Sequence, residues 1–172
     1  MALKSNFNES RFDADVKKQT DVIYEQIVNS FIMAGEQFII NARTQAQDHE
    51  AGQYEDVTAN LRNSITYYLF YNGELIVSKE PGVYAGKTKE GKMSASEIAE
   101  INKQVIRDVV SKKGFQLILV AGMNYASWVE ANGYNVISYQ ADVCMIDLAG
   151  YLEKRDVITK GTAAQMEETF LP

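Results

Sequence analysis

The chain has 172 residues, 46% hydrophobic and 23% charged, with a formal net charge of −6 and an isoelectric point near 4.9. That is the size and make-up of one globular domain able to bury a core without disulfides or metals. Its acidity argues against general affinity for nucleic-acid phosphates, and its one cysteine, Cys144, excludes an internal disulfide.

Residues 1–15 are polar and aperiodic and read as a flexible arm; they carry acids and lack an apolar block, so they do not read as a secretory signal. No stretch approaches 18 consecutive apolar residues, so no membrane span is expected. From Val16 the pattern turns helical. Val16, Ile23, Ile27, Phe31, Phe38 and Ala42 recur at three-, four- and seven-residue steps, widened by Tyr24, Val28, Ile32 and Ile39. The run extends to about Gln47, about 47 Å at the α-helical rise. A helix this long is expected to offer one side to a neighbouring subunit. Asp48 to Asp56 breaks it, and His49 in QAQDHEAGQ reads as a solvated loop residue.

Ile65 to Tyr71 is dense in β-branched and aromatic residues, Asn72-Gly73 is a strong hairpin signal, and Glu74 to Ser78 resumes a strand. Ile65, Tyr67, Leu69 and Tyr71 share one face while Tyr68 and Phe70 occupy the other, so cover is expected on both faces. After a glycine- and lysine-rich loop, 94–113 reads as a helix capped by Ser94 or Ser96, with Ile98, Ile101, Val105, Val109 and Ile106 as its stripe. FQLILVAGM, 115–123, is apolar on both faces and predicts a central strand. Asn124 to Asn132 predicts a short helical turn stopped by Asn132-Gly133, Tyr134 to Tyr139 an extended segment, and 140–155 a second long helix. Cys144, in the apolar run VCMI, reads as a small buried hydrophobe. The expected architecture is therefore α+β: N- and C-terminal helices on a small, mainly antiparallel sheet, with an inserted loop and helix. The domain covers 16–155, followed by a loosely packed tail at 156–172.

The loop PGVYAGKTKEG, 81–91, contains the Gly-Lys-Thr end of a phosphate-binding loop. That motif needs a glycine five residues before its second glycine and a helix directly after it, so that backbone amides surround the phosphates. Counting back from Gly86 lands on Pro81, which has no amide hydrogen, and the next helix starts only near Ser94. Asp147, ending VCMID, could serve magnesium only if that stretch were a strand, and a helix fits it better. A P-loop-like nucleotide enzyme using Gly86, Lys87, Thr88 and Asp147 is thus the weaker alternative to a surface loop. Glu97 and Glu100 read as a solvated helix face, and Ser64, Ser127 and Ser138 have only His49 to activate them. No catalytic residue, cofactor or metal is expected.

Two blocks point elsewhere. In TANLRNSITY, Thr58, Leu61, Ser64 and Ile65 form a Thr-x-x-Leu-x-x-Ser-Ile pattern. In LILVAGMNYASWVEANGYNV, Tyr125, Ala126, Val129, Glu130 and Gly133 form Tyr-Ala-x-x-Val-Glu-x-x-Gly. With the long helix before them, across roughly 16–153, these blocks resemble the tail-completion (head–tail connector, neck) family of long-tailed bacteriophages. The resemblance implies a non-enzymatic α+β virion protein, assembled in the bacterial host cytoplasm as a ring, most often a hexamer. Its partners would be a head-side connector and a tail-tube or tail-terminator protein. The segment 79–114 departs from the shortest members, with Gly82, Gly86, Gly91 and a full helix inserted. The expected contact residues are Tyr84, Lys87, Lys89 and Lys92 in a loop taken to be mobile until it meets an acidic neighbour, together with Tyr125, Trp128 and Glu130. Trp128 could anchor the core or a neighbouring subunit. A cytosolic binding domain from a prophage remnant is a further reading.

Overall fold

A computed structural model describes residues 8–45 and 57–170 of the chain; His49 and the expected break at 48–56 lie outside them. Its spine is one strand, β1 (Ile65–Tyr71). Asn72 (φ 52°) and Gly73 (φ 86°) both take the left-handed backbone of a type I′ turn, which returns the chain antiparallel into β2 (Glu74–Ser78). The third strand, β3 (Phe115–Ala121), pairs antiparallel with the other edge of β1, from Ile65 opposite Ala121 to Tyr71 opposite Phe115. The order is therefore β2-β1-β3. The central strand is β1 and not 115–123. β3 is apolar on both sides because helices cover both faces of the sheet, so its composition reports its cover rather than its place in the order.

On one face Ile65 and Tyr67, with Leu117 and Leu119 of β3, pack against α1 (Glu9–Gln45) through Ala34, Phe38 and Ala42. On the other, Tyr68, Phe70 and Val120 meet Ile106 of α3 (Ala95–Ile106). The helix α3 opens with a capping box. The Ser94 hydroxyl accepts from the Glu97 amide, and the Glu97 carboxylate accepts from the Ser94 amide at 2.8 Å. These bonds hold the Glu97 carboxyl below its ordinary pKa. The buried row on α3 is Ile98, Asn102 and Ile106, whereas Val105 and Val109 of the expected stripe are exposed. Asn102 displaces them because its amide donates to the Ser64 carbonyl at 2.9 Å, where the five-residue helix α2 (Asn60–Ser64) hands over to β1.

The helix α1 begins at Glu9 rather than Val16, so residues 9–15 of the expected 1–15 arm are helical. Asn8 starts it, its side-chain oxygen accepting from the Arg11 amide at 3.1 Å and the Ser10 hydroxyl at 2.8 Å. At 37 residues it is about 55 Å long. Downstream, α4 (Ala126–Ala131) fills the expected short turn, and α5 (Ser138–Glu153) packs on α1. Tyr134–Tyr139 is not extended throughout, since Ser138 and Tyr139 already belong to α5. The last helix, α6 (Thr162–Phe170), lies against α5, its Ala163 amide donating to Glu153 at 2.6 Å.

Cys144 is buried, and its thiol donates to the Ala34 carbonyl across the α1–α5 seam at 3.5 Å. Burial pushes that thiol from an ordinary 9.0 up to about 12, with the nearby Asp147 charge adding to the shift. Burial also raises the Tyr67 phenol, whose hydroxyl donates to Glu36 at 3.0 Å. Both groups keep their protons in the fold after the unfolded chain has released its own, so stability must fall as pH rises through that interval. The urea midpoint is expected to drop steadily between pH 9 and about 12. A midpoint that stays level there would show that neither group is sheltered.

Candidate assembly surface

The glycine-rich loop after β2 is tied down along its length. Asn63, nearly fully buried on α2, brackets it: the side-chain oxygen accepts from the Tyr84 amide at 2.8 Å and the side-chain amide donates to the Tyr84 carbonyl at 3.1 Å. One turn earlier Asn60 makes a second bracket, accepting from the Met93 amide at 2.9 Å and donating to the Gly91 carbonyl at 2.8 Å. Between the brackets the Thr88 amide donates to the Val57 carbonyl at 3.1 Å. Before them the Arg43 guanidinium of α1 spans the Ile65 carbonyl, at 2.7 and 3.0 Å, and the Glu80 carbonyl, at 3.1 Å. The expectation of a loop that orders only against a neighbour gives way to a loop bracketed within its own subunit.

Gly86 has a packing reason to be glycine. A side-chain carbon there would lie 2.4 Å from the Thr58 carbonyl carbon and 2.5 Å from the Val57 oxygen. The Gly-Lys-Thr therefore presses on the 57–58 backbone instead of opening a helix. The nearest downstream helix, α3, has its N-terminus filled by the chain's own Glu97 carboxylate.

The predicted contact residues fall into three settings. Tyr84 is partly covered, with the Arg62 guanidinium 3.6 Å over its ring. Burial lowers the pKa of neighbouring Arg43, while Tyr84 and Glu36 oppose the shift. Lys87, Lys89 and Lys92 are exposed along the loop, whereas Lys79, at its start, is held by Glu36 at 2.6 Å. Tyr125, just before α4, and Trp128 within it are exposed, and Trp128, at 67%, is no core anchor. Tyr125 and Met93, at the end of the loop, meet Ile101, Val105 and Met123 around an open groove of about 490 Å³. Val105, expected in the core, is 51% exposed on its wall.

Glu130 belongs elsewhere. Its carboxylate accepts from the amides of Val136, at 3.0 Å, and of Ile137 and Ser138, both at 3.2 Å, capping α5 from eight residues upstream. A carboxylate is favoured there because the first amides of a helix lack intrahelical partners and carry partial positive charge. Glu130 therefore works inside the fold, and its cap is what turns 134–139 into a helix start.

Sequence reasoning missed Arg43, Asn60 and Asn63, which shape this surface from beneath. The one available signal was two asparagines three apart in NLRNS, a polar pair directly before an apolar strand. Among the described residues no helix is long and apolar enough to cross a membrane, and no three His, Cys, Asp or Glu side chains gather as metal ligands. No protein-family model, curated protein or solved structure matches this chain.

Proposed function

We propose that the protein is a non-enzymatic structural adaptor of a phage head–tail junction, acting as a ring of identical subunits. The observation that carries this reading is the exposed aromatic pair Tyr125 and Trp128, beside the apolar groove at the end of the lysine loop. Large, partly polar rings on a stable scaffold are what interfaces enrich. Both residues lie in the second of the two blocks that resemble the tail-completion family. Charge supports it too. Segment 79–114 carries eight of the 17 lysines and arginines but five of the 23 acids, so it is net positive on an acidic chain. A head-to-tail ring brings two different patches together at every contact, and opposite charge on the two would steer and register them.

Native mass spectrometry of the purified chain, alone and with head-side connector and tail proteins of its phage, tests the reading. A closed ring, or a monomer that assembles on a connector, is the expected result. A strict monomer that binds none of them overturns it. Reversing Lys87, Lys89 and Lys92 together to glutamate is expected to weaken assembly. Unfolding should stay within about 0.5 kcal/mol for each site, because all three side chains are exposed and the brackets hold backbone and not lysine side chains. Assembly at wild-type strength would reduce the loop to a connector.

A further inference from the structure

The short helix α2 is polar and yet buried: Asn60, Arg62, Asn63 and Ser64 are each no more than 7% exposed. The glycine-rich loop lies against it, and the middle of that loop is held by polar ties. Asn63 brackets Tyr84, the Asn60 amide donates to the Gly91 carbonyl, the Thr88 amide donates to Val57, and the Arg62 guanidinium lies over the Tyr84 ring. Apolar burial adds almost nothing, since no residue from Val83 to Lys92 is buried and Val83 is 85% exposed. The two ends differ. Pro81 and Gly82 are buried, with the Gly82 amide donating to the Asn63 carbonyl at 2.8 Å, and Met93 packs against the core around Leu61 and Ile98.

We infer that residues 83–92 form a strap, which opens as one unit between its fixed ends while the sheet and core stay folded. Opening exchanges the strap's hydrogen bonds for bonds to water at small net cost. Lifting the ends as well would expose apolar surface, which costs far more. Segments with few buried apolar contacts and exposed backbone bonds are those that open below the global unfolding free energy. Gly86 makes the ties act together. Its backbone lies so close on 57–58 that a side-chain carbon there would meet the Thr58 carbonyl carbon at 2.4 Å. A chain that lifts at Tyr84 therefore carries Gly86 and Thr88 away with it. Both asparagines grip main chain: Asn63 holds the amide and carbonyl of Tyr84, and Asn60 holds the Gly91 carbonyl and the Met93 amide. Opening frees Asn63 to hold a different extended backbone, and it lets Lys87, Lys89 and Lys92 reach further from the body. In the adaptor, the loop would then pass from its own α2 to a partner. That use rests on the adaptor reading, whereas the opening itself does not.

The test is native-state hydrogen exchange of the full chain across a series of low urea concentrations. The amides of Tyr84 and Thr88, hydrogen-bonded within the strap, should exchange at one common opening free energy. That free energy should hardly respond to urea, because the opening exposes little surface. The amides of Gly82 and Met93 at the fixed ends, and those of the β1–β3 ladder, should exchange only through larger openings that urea promotes. Asn63→Ala removes the Tyr84 bracket and touches nothing at Thr88, yet it should speed Thr88 exchange on the order of tenfold if the two open together. Asn63 is nearly fully buried, so the wild-type urea series stands as the test by itself should that variant fail to fold. Exchange of Tyr84 or Thr88 together with the sheet, two separate free energies for them, or an Asn63→Ala effect confined to Tyr84 overturns the strap. Any of these in a chain that still assembles on a connector would leave the adaptor reading standing. A strap that opens as described in a chain that binds no connector or tail protein would do the reverse.

Discussion

Gly86→Ala is expected to lower stability by about 1–3 kcal/mol, the usual range for forcing extra carbon into a packed site. In a chain of this size that is a fall in Tm of about 2–4 °C per kcal/mol. The clash cannot be relieved by swinging a flexible side chain away, because the obstructing atoms are backbone: the Thr58 carbonyl carbon, the Val57 oxygen and the Thr58 Cα at 2.7 Å. Either the loop lifts, losing the Thr88–Val57 hydrogen bond, or the 57–58 segment moves under α2. The same substitution also separates two explanations of one tripeptide. As a phosphate cradle, Gly86 would answer to nucleotide, and its replacement would alter the thermal shift caused by Mg-ATP. As a packing contact it answers to unfolding alone. Wild-type stability in the alanine variant, with a lost response to nucleotide, would reinstate the cradle.

Arg43→Leu is expected to be as damaging or more so, at about 3 kcal/mol. Leucine keeps an apolar stem in the buried slot but removes three hydrogen bonds from a charged donor, each worth about 1.5–3 kcal/mol, while the lost guanidinium desolvation offsets part of that. Two carbonyls are left without their partner, those of Ile65 at the head of β1 and Glu80 at the root of the loop. Burial works against the guanidinium, whose pKa is lowered by desolvation, and Tyr84, Glu36 and the two carbonyls offset part of that cost. Arg43→Lys should recover little, since a single ammonium cannot reproduce the planar fork. The denaturant midpoint of the three proteins is the measurement. A loss under about 1 kcal/mol in Arg43→Leu would mean that water reaches both carbonyls after the change.

Much of the fold could be read directly because its signals are local. The hairpin needs only two neighbouring residues with positive φ between alternating strands. The α3 cap needs a serine and a glutamate three apart, and the burial of Cys144 follows from the apolar run around it. What escaped depends on residues far apart. Apolarity on both faces of 115–121 tells what lies above and below the strand, not which strands lie beside it, so an edge strand was taken for a central one. Asn102 was passed over in the α3 stripe because an amide earns a buried position only from its partner, here a carbonyl 38 residues away in sequence. Glu130 and Trp128 carry the same lesson in opposite directions. The charged residue turned inward to amides contributed by a later turn, and the largest apolar side chain stayed outside. The exposure of the loop lysines could be read from the sequence, and the asparagines and arginine that hold the loop backbone from below could not.

The sheet order also sets the difficulty of folding. The β1–β2 hairpin can close within a few residues, but a lone hairpin is marginal, and its third strand arrives only after the whole of 79–114 has been looped back. Closing that length is the entropic barrier that non-local strands impose on rate. The two asparagine brackets shorten the effective loop by fastening its first half to α2 before β3 must find its register. Asn63→Ala is therefore expected to slow refolding, and a substitution in α6 to speed unfolding without touching the refolding limb. A slowed refolding limb in Asn63→Ala would mean that the brackets govern how quickly the sheet is completed as well as where the loop lies.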